Sequence, residues 1–168
     1  MLTPRQKKIR RVAKRRQRGV VVVLEDIHDP HNAAAVLRTC EAFGVQEVCF
    51  IFEKQERYNP RKIGKTTSSS ANKWLDFKVF GSTEECYDDL HSRGYHIYCT
   101  ALEQTSKSIY DSNFTDFDNV GLVFGNEHAG ASRHAIENAD TLLEILMRGF
   151  VQSLNISVTA GICIFEAT

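Results

Sequence analysis

Three polar segments interrupt the apolar pattern of this sequence, and each carries residue types that can bind a ligand. They cover residues 25–38, 125–132 and 147–158, and each follows a run of apolar residues that predicts a strand. Ligands of open α/β sheets lie beyond the carboxyl ends of the strands, where loops present polar groups. We therefore consider the three segments as candidate parts of a ligand site.

The first segment places Asn32 near a predicted helix start and Arg38 six residues later, which is about two helical turns. Both side chains could face one extended ligand such as a nucleotide, because the planar guanidinium of arginine suits phosphate. Asn32 could equally be a helix N-cap and Arg38 a surface ion-pair partner. His28 and His31 lie three residues apart, but no Cys or third His is near them in sequence. We therefore predict no metal site.

The other two segments combine small and polar residues. Gly125 and Gly130 flank a polar turn, and glycine permits close approach of the backbone to a ligand. The pattern is neither G-x-G-x-x-G nor a P-loop, which argues against dinucleotide and Walker-type sites. Ser153, Asn155 and Ser157 cluster near the predicted start of the last helix, where Ser153 is a candidate N-cap. Helix capping would explain one of these residues but not all three.

Strands and helices alternate along the chain, which predicts a parallel α/β sheet. The predicted strands cover residues 20–24, 46–52, 77–80, 95–101, 120–124 and 141–145. The predicted helices cover residues 4–17, 32–43, 82–93, 132–138 and 153 to the C-terminus, with Thr3 and Ser82 as N-caps. The continuous apolar run at 20–24 predicts a strand buried on both faces. Residues 53–73 should form a loop leading into a short helix, and residues 103–119 a linker-like loop.

The net charge of zero conceals a separation of charge along the 168 residues. Residues 1–19 hold nine Lys and Arg and no acid, so residues 20–168 hold the remaining 12 bases and all 21 acids. We predict a basic N-terminal helical arm over 1–19, followed by one domain over 20–168. The arm either binds phosphate groups or is a solvated tail.

Cysteine usage and hydropathy indicate a cytoplasmic protein. The five cysteines are scattered singly, mostly among apolar neighbours, so we expect buried free thiols in a reducing compartment. They are Cys40, Cys49, Cys86, Cys99 and Cys163. No stretch of about 18 apolar residues could span a membrane, and the charged N-terminus lacks the apolar segment of a secretion signal.

Taken together, the three segments resemble the motifs of the SPOUT class of methyltransferases, and within it the TrmH (SpoU) family of RNA ribose 2′-O-methyltransferases. The motifs are Asn32-(x)5-Arg38-Thr39-Cys40-Glu41-Ala42-Phe43-Gly44, then Leu122-Val123-Phe124-Gly125-Asn126-Glu127-(x)2-Gly130, then Ile145-Leu146-Met147-(x)-Gly149-(x)3-Ser153-Leu154-Asn155-(x)-Ser157-Val158. Each motif is loose alone, but their order and spacing are highly specific, and the resemblance covers about residues 20–166. Residues 29–32 and 69–74 resemble in particular the enzymes that modify the D-loop guanosine of tRNA.

The resemblance implies a Rossmann-like parallel sheet with a C-terminal trefoil knot, a homodimer, and S-adenosylmethionine bent into the knot. The implied cofactor site consists of Leu102, Gly125, Ile145, Met147, Ser153 and Leu154. The implied catalytic and substrate-positioning residues are Asn32, Arg38, Glu127, Ser153 and Asn155. We expect RNA to contact Arg38 and the arm residues Arg10, Arg11, Lys14 and Arg15.

The expected reaction is methyl transfer to a ribose 2′-hydroxyl, with guanosine 18 of tRNA as the expected target. Because a guanidinium essentially never deprotonates in proteins, we expect Arg38 to hold the adjacent phosphate and polarise the 2′-oxygen. The proton would leave to phosphate, to Glu127 or to water, while Asn32 and Asn155 fix loop geometry and ribose position. The alternatives are 2′-O-methylation of rRNA or of the tRNA wobble position, and a non-catalytic RNA-binding protein with this fold.

Two features depart from the family pattern. Leu146 stands where the family usually has Pro, and the chain ends thirteen residues after Asn155, whereas close relatives extend further, often with a basic helix that contacts tRNA. Either the sequence is a shortened form, or RNA binding relies more on the N-terminal arm. Tyr58 and Trp74, each next to a basic residue, could stack on bases or pack within the protein.

Overall fold

A computed structural model of the protein describes residues 2–63 and 71–168. Its strands form one sheet, and every pair of neighbouring strands runs parallel, as predicted. They are β1 (Gln17–Glu25), β2 (Val45–Ile51), β3 (Asp76–Phe80), β4 (His96–Thr100), β5 (Lys107–Ser108), β6 (Val120–Phe124) and β7 (Thr141–Glu144). Across the sheet the order is β3-β2-β1-β6-β4-β7-β5. The C-terminal trefoil knot stays a prediction.

Helices cover both faces of the sheet. In the described residues they are α1 (Pro4–Ala13), α2 (Pro30–Phe43), α3 (Thr83–Ser92), α4 (Arg133–Asn138) and α5 (Ile156–Ala167). Helices α2 and α5 pack together over one face, and α3 and α4 over the other. Strand β1 is buried on both faces, as its continuous apolar run predicts, because Val22 contacts the α2–α5 core and Val23 the α3–α4 core.

Local capping explains where several helices begin and end. The Thr3 side chain accepts a hydrogen bond from Gln6 N, and the Ser82 hydroxyl accepts one from Glu85 N, so both predicted N-caps are confirmed. Gly44 ends α2 with a φ of 86°, a left-handed conformation that glycine adopts without strain. Helix α5 begins later than predicted, because Asn155 rather than Ser153 is its N-cap.

The basic N-terminal helix is shorter than predicted. It ends at Ala13 instead of residue 17, because the chain turns and enters β1 at Gln17. The Arg16 side chain lies in this connection and donates hydrogen bonds to the carbonyl oxygens of Val45 (3.3 Å) and Trp74 (3.3 Å). Arg16 thus ties the arm to the sheet, although composition places it with the solvated bases.

The prediction of a linker-like loop over residues 103–119 was wrong. This stretch contains β5 and two 3-10 turns, Ile109–Asp111 and Phe114–Asp116. Ile109 and Phe114 insert into the core beneath α2 and α5. A further 3-10 turn at Ala71–Lys73 matches the short helix expected before residue 73, while residues 64–70 of the same loop lie outside the described residues.

The five cysteines are buried free thiols, as predicted. Burial raises the pKa of Cys40, Cys99 and Cys163 to about 12. Within residues 2–63 and 71–168, no helix is both long enough and apolar enough to cross a bilayer.

Candidate active site

The loops that follow β1, β4, β6 and β7 surround one cavity of about 1130 Å³. Because the strands are parallel, all four loops leave the same edge of the sheet. All six predicted cofactor residues line this cavity, namely Leu102, Gly125, Ile145, Met147, Ser153 and Leu154. Four of the five predicted catalytic residues line it too: Asn32, Glu127, Ser153 and Asn155. The structure thus brings the three motifs together around one space.

The cavity lining is acidic. It contains four carboxylates, those of Asp29, Glu103, Glu127 and Glu144, and among the described residues neither a lysine nor an arginine. A cavity lined by one sign of charge raises the local concentration of ligands of the opposite sign. This cavity therefore favours a ligand that carries positive charge.

The carboxylate of Glu127 holds the loop that follows β1. Its Oε2 accepts a hydrogen bond from the backbone N–H of His28 at 2.9 Å. Its Oε1 accepts hydrogen bonds from the backbone N–H of Asp29 at 3.2 Å and from Asn32 Nδ2 at 3.0 Å. Both carboxylate oxygens are therefore engaged by N–H donors, and the second motif positions the first.

Asn32 in turn connects to the third motif. Its Oδ1 accepts a hydrogen bond from Asn155 Nδ2 at 3.1 Å. The Oδ1 atom of Asn155 accepts from the backbone N–H (2.8 Å) and the hydroxyl (2.6 Å) of Ser157. A hydrogen-bonded chain thus runs from Glu127 through Asn32 and Asn155 to Ser157, and each amide in it has one fixed orientation.

The alternative interpretation of Asn32 as an N-cap is wrong. Asp29 caps α2, with its carboxylate accepting a hydrogen bond from His31 N at 2.8 Å and Pro30 occupying the first turn. Asn32 lies within the first turn of α2, so its amide projects into the cavity rather than capping the helix.

Partial burial raises the pKa of Glu127, but the hydrogen bonds from Asn32, His28 and Asp29 outweigh it and hold the pKa below the ordinary 4.5. A lowered pKa means that folding favours the ionised form. This stabilisation is complete above the ordinary pKa and is lost as the pH falls through the lowered one. A carboxylate of this kind is a weak base at neutral pH.

We expect Glu127→Gln to be less stable than the native protein at neutral pH, because the amide NH2 that replaces one carboxylate oxygen would face a backbone N–H donor, that of His28 or of Asp29. The native protein should lose its advantage as the pH falls below the ordinary pKa of glutamate. Urea unfolding over a pH series measures the difference between the two proteins. A difference that does not depend on pH would contradict the role of the ionised carboxylate.

The glycine-bearing turn is built around its own backbone. Asn126 and Gly130 exchange two backbone hydrogen bonds of 2.9 Å, and Gly130 has a φ of 72°. A Cβ atom on Gly125 would lie 2.1 Å from the backbone nitrogen of Ala131. Glycine is therefore required at position 125 because the backbone of residues 130 and 131 folds back against it. The sequence had instead suggested that this glycine lets the backbone approach a ligand.

Sequence analysis did not identify two buried acids, Asp26 and Glu25, that accept hydrogen bonds from segments beside the site. Asp26 has a φ of 49°, and its Oδ1 accepts hydrogen bonds from the backbone N–H groups of Glu53 (2.9 Å), Lys54 (3.0 Å) and Gln55 (3.1 Å). Glu25 accepts hydrogen bonds from the hydroxyl of Thr83 and from Ser132 N at 2.8 Å. Their position directly after a predicted buried strand is the signal that could have identified them. A carboxylate buried there needs several hydrogen-bond donors, which neighbouring loops must supply.

Arg38 does not line the acidic cavity. It is exposed on α2 and lines a second cavity of about 960 Å³ near the amino ends of β1, β2 and β3. The arm residues Arg10, Arg11, Lys14 and Arg15 are exposed and line neither cavity, whereas Arg5, Lys8 and Arg18 line the second cavity together with Arg38.

The remaining sequence candidates take structural positions. The Tyr58 ring packs against Phe52 at 4.8 Å, and its hydroxyl donates to the carbonyl oxygen of Ile27 at 3.3 Å, so Tyr58 is a packing residue. His28 Nδ1 lies 3.1 Å from the side-chain oxygen of Gln55. In the described parts of the chain, no cluster of three or more His, Cys, Asp or Glu residues has metal-binding geometry.

Known proteins are similar to this chain in both sequence and fold. Residues 19–165 match the model of the SpoU rRNA Methylase family. The tRNA (guanosine(18)-2′-O)-methyltransferase of Thermus thermophilus is 37% identical over 166 residues, which are 97% of this chain and 81% of the relative.

Among solved structures, the Aquifex aeolicus TrmH/SpoU tRNA modifying enzyme has a TM-score of 0.87 and 31% identity, covering 97% of this chain and 80% of that one. The AdoMet-bound rRNA methyltransferase from Sinorhizobium meliloti shares the fold, with a TM-score of 0.80 and 23% identity over 91% of this chain and 57% of that one. On the family match and these similarities, the chain belongs to the SpoU methylase family.

Proposed function

We propose that this protein transfers a methyl group from S-adenosylmethionine to the 2′-hydroxyl of a ribose in RNA, and that its target is the D-loop guanosine at position 18 of tRNA. The observation that carries the proposal is the acidic cavity around which the hydrogen-bonded chain joins all three motifs. The name of the Thermus thermophilus relative supports the target, and the AdoMet-bound structure supports the donor.

The cavity suits the donor and constrains the mechanism. S-adenosylmethionine supplies an electrophilic methyl group on a positively charged sulfonium, and the carboxylates of Asp29, Glu103, Glu127 and Glu144 favour such a cation. Holding the ribose in line with the methyl group could lower the barrier by roughly 7–11 kcal/mol. Because three N–H donors occupy Glu127 and its pKa is lowered, the 2′-hydroxyl proton leaves to phosphate or water rather than to this carboxylate.

The direct test is methylation of an unmodified tRNA transcript with radiolabelled S-adenosylmethionine, followed by mapping of the 2′-O-methyl group. We expect one methyl group at guanosine 18, and none when that nucleotide is a 2′-deoxyguanosine. Label at the wobble position or only in rRNA would support one of the alternative substrates. No transfer to any RNA, despite donor binding, would contradict the proposal.

The active protein is a homodimer in this proposal. Arg38 lines a different cavity from the one that would hold the donor, so a second copy would supply the arginine that contacts the substrate. An apolar surface is available for that contact: Val158 and Phe165 on α5 are exposed, and Phe165 meets Phe43 of α2 at 5.8 Å. Phe150, in the loop before α5, is fully exposed.

Arg38→Ala should bind S-adenosylmethionine normally and lower the rate of methyl transfer about 10²- to 10³-fold, because it removes one charged donor from the transition state. Mixing this variant with Asn155→Ala tests the dimer. If Arg38 acts across two copies, mixed dimers contain one intact site and recover activity. Two variants that stay inactive on mixing, although mixed dimers form, would place Arg38 in its own copy's site.

We also propose that the arm residues Arg10, Arg11, Lys14 and Arg15 contact RNA phosphates. Replacing all four with Gln should weaken tRNA binding and reduce the slope of log affinity against log salt by up to about 3. Affinity for S-adenosylmethionine should not change. These substitutions spare Arg16, whose removal in an arm deletion would also break its hydrogen bonds to the sheet. An unchanged salt slope would contradict this proposal.

We place this reaction in the cytoplasm. The support is the state of the five cysteines, which are buried and form no disulfide. Unpaired thiols persist in reducing compartments. Locating the tagged protein by cell fractionation tests the assignment.

A further inference from the structure

Apart from Arg38, the residues that line the second cavity have no role in the methyl transfer proposed above. It lies between α1, the C-terminal half of α2 and the amino ends of β1, β2 and β3, and its volume is about 960 Å³. Apolar side chains of α1, including Ile9 and Val12, form part of its wall. A space of this size, with apolar walls and a charged rim, can admit a nucleotide.

The charge of this second cavity is opposite to that of the acidic cavity. Six bases line it, namely Arg5, Lys8, Arg16, Arg18, Arg38 and Arg93, against the three acids Glu41, Glu47 and Asp76. Glu41 pairs with Arg16 at 3.7 Å and Glu47 with Arg93 at 2.7 Å. The lining therefore carries three positive charges in excess, which favours an anionic ligand.

An exposed tryptophan stands in the same lining. The side chain of Trp74 is accessible, with 47% of the residue exposed. Its backbone is held firmly, because its carbonyl oxygen accepts hydrogen bonds from Arg16 Nη2 at 3.3 Å and Gln46 Nε2 at 3.0 Å, and its N–H donates to Ala71 at 2.9 Å. Within the described residues, the indole makes no stacking or cation–π contact. The backbone of Trp74 is thus held in place, and its indole is accessible to a ligand.

We propose that this cavity binds a single-stranded nucleotide of the RNA substrate, with the base stacked on Trp74 and the phosphates contacted by Arg5, Lys8 and Arg18. Aromatic faces beside basic side chains are the combination by which proteins hold unpaired nucleotides. The site rests on the proposed function for its RNA, and it adds a contact to a nucleotide other than the one that is methylated.

Trp74 is the only tryptophan of the chain, so intrinsic tryptophan fluorescence reports on this position alone. We expect an unmodified tRNA transcript to quench the fluorescence and to protect it from iodide. Duplex RNA of the same charge should bind more weakly and quench little, because its bases are already stacked. S-adenosylmethionine alone should leave the signal unchanged.

The matched variants are Trp74→Phe, Trp74→Ala and Tyr110→Ala. Tyr110 is 68% exposed and lines neither cavity, so its loss controls for removal of an exposed aromatic ring. Trp74→Ala should bind tRNA roughly 5- to 150-fold more weakly, the range expected for the loss of one base–aromatic stack. Trp74→Phe should retain most of the affinity, and Tyr110→Ala all of it.

The outcomes separate this site from the proposed function. If tRNA is bound and methylated but Trp74 is neither quenched nor needed for affinity, the nucleotide site is wrong and the methyltransferase remains. If no RNA binds at all, the proposed function fails first. If sedimentation shows that Trp74→Ala changes the oligomeric state of the protein while the RNA affinity per dimer is unchanged, Trp74 forms a contact between copies. That result would overturn the nucleotide site.

Discussion

Asn32→Asp should lower methyl transfer by about 100-fold or more at neutral pH, although the two side chains have nearly the same shape. The native amide donates from Nδ2 to Glu127 Oε1 at 3.0 Å. The substitution would place a second carboxylate at this distance, and two such charges repel. The loop that Glu127 positions would shift, and misplacement of reacting groups by about 1 Å can cost 10²-fold in rate.

The losses of activity and stability in Asn32→Asp should be smaller at low pH than at neutral pH. Like charges raise the pKa of the carboxylate pair, so one proton shared between positions 32 and 127 would restore a hydrogen bond at low pH. Activity and stability of Asn32→Asp, each relative to the native protein, should therefore fall as the pH rises through that raised pKa. Parallel rate and urea-unfolding measurements over a pH series would show this.

Two controls isolate the charge. Asn32→Ala removes the amide without adding a carboxylate, so its loss should not change with pH in this way. Adding Glu127→Gln to Asn32→Asp returns one amide and one carboxylate to the pair, and the double variant should lose less than the two single variants predict together. Full activity in Asn32→Asp at neutral pH would show that the hydrogen-bonded chain does not control the site.

Gly125→Ala should destabilise the protein by about 3 kcal/mol or more and abolish measurable binding of S-adenosylmethionine. The added methyl group would lie 2.1 Å from Ala131 N and 2.3 Å from the carbonyl carbon of Gly130, both of them backbone atoms that cannot rotate away. Forcing extra volume into a packed site commonly costs about 1–3 kcal/mol, and more when the backbone must move. Calorimetric titration and thermal unfolding give the two quantities.

Gly149→Ala is the matched control in the third motif. A Cβ atom at Gly149 would meet nothing within 4 Å. Its stability should stay within about 0.5 kcal/mol of the native value, as for most surface substitutions. Equal losses in the two variants would show that the effect of Gly125→Ala does not arise from crowding against the returning chain.

The sequence predicted the strands best where apolar runs are continuous and bounded by polar residues. Strand β6 has the predicted bounds, Val120–Phe124, because it is buried and its neighbours are polar. Residues 103–119 were misjudged because Ile109 and Phe114 are single apolar residues in a polar stretch, and their burial depends on distant helices. The end of α1 at Ala13 also lacked a local signal, since the contacts of Arg16 to Val45 and Trp74 are long-range.

The residues that line the acidic cavity could be named from the sequence motifs, but the motifs alone did not establish in which direction each side chain points. Asn32 and Arg38 share one motif and one helix, yet they line different cavities. Six residues of an α-helix correspond to about one and two-thirds turns, so the two side chains point in different directions. Helical geometry therefore contained this information, whereas the contacts of Asp26, a buried acid with a φ of 49°, depend on a loop that sequence reasoning cannot place.

The burial of all five thiols makes the native protein a ready background for site-specific labelling. A thiol reacts as the thiolate, and burial both blocks access to these sulfur atoms and raises the pKa of Cys40, Cys99 and Cys163 to about 12. A cysteine introduced on the surface, for example by Tyr110→Cys, should be the only cysteine of the protein that reacts with maleimide dyes. Distances between such a dye and Trp74, or between dyes on two copies, could then be measured without removing a native cysteine.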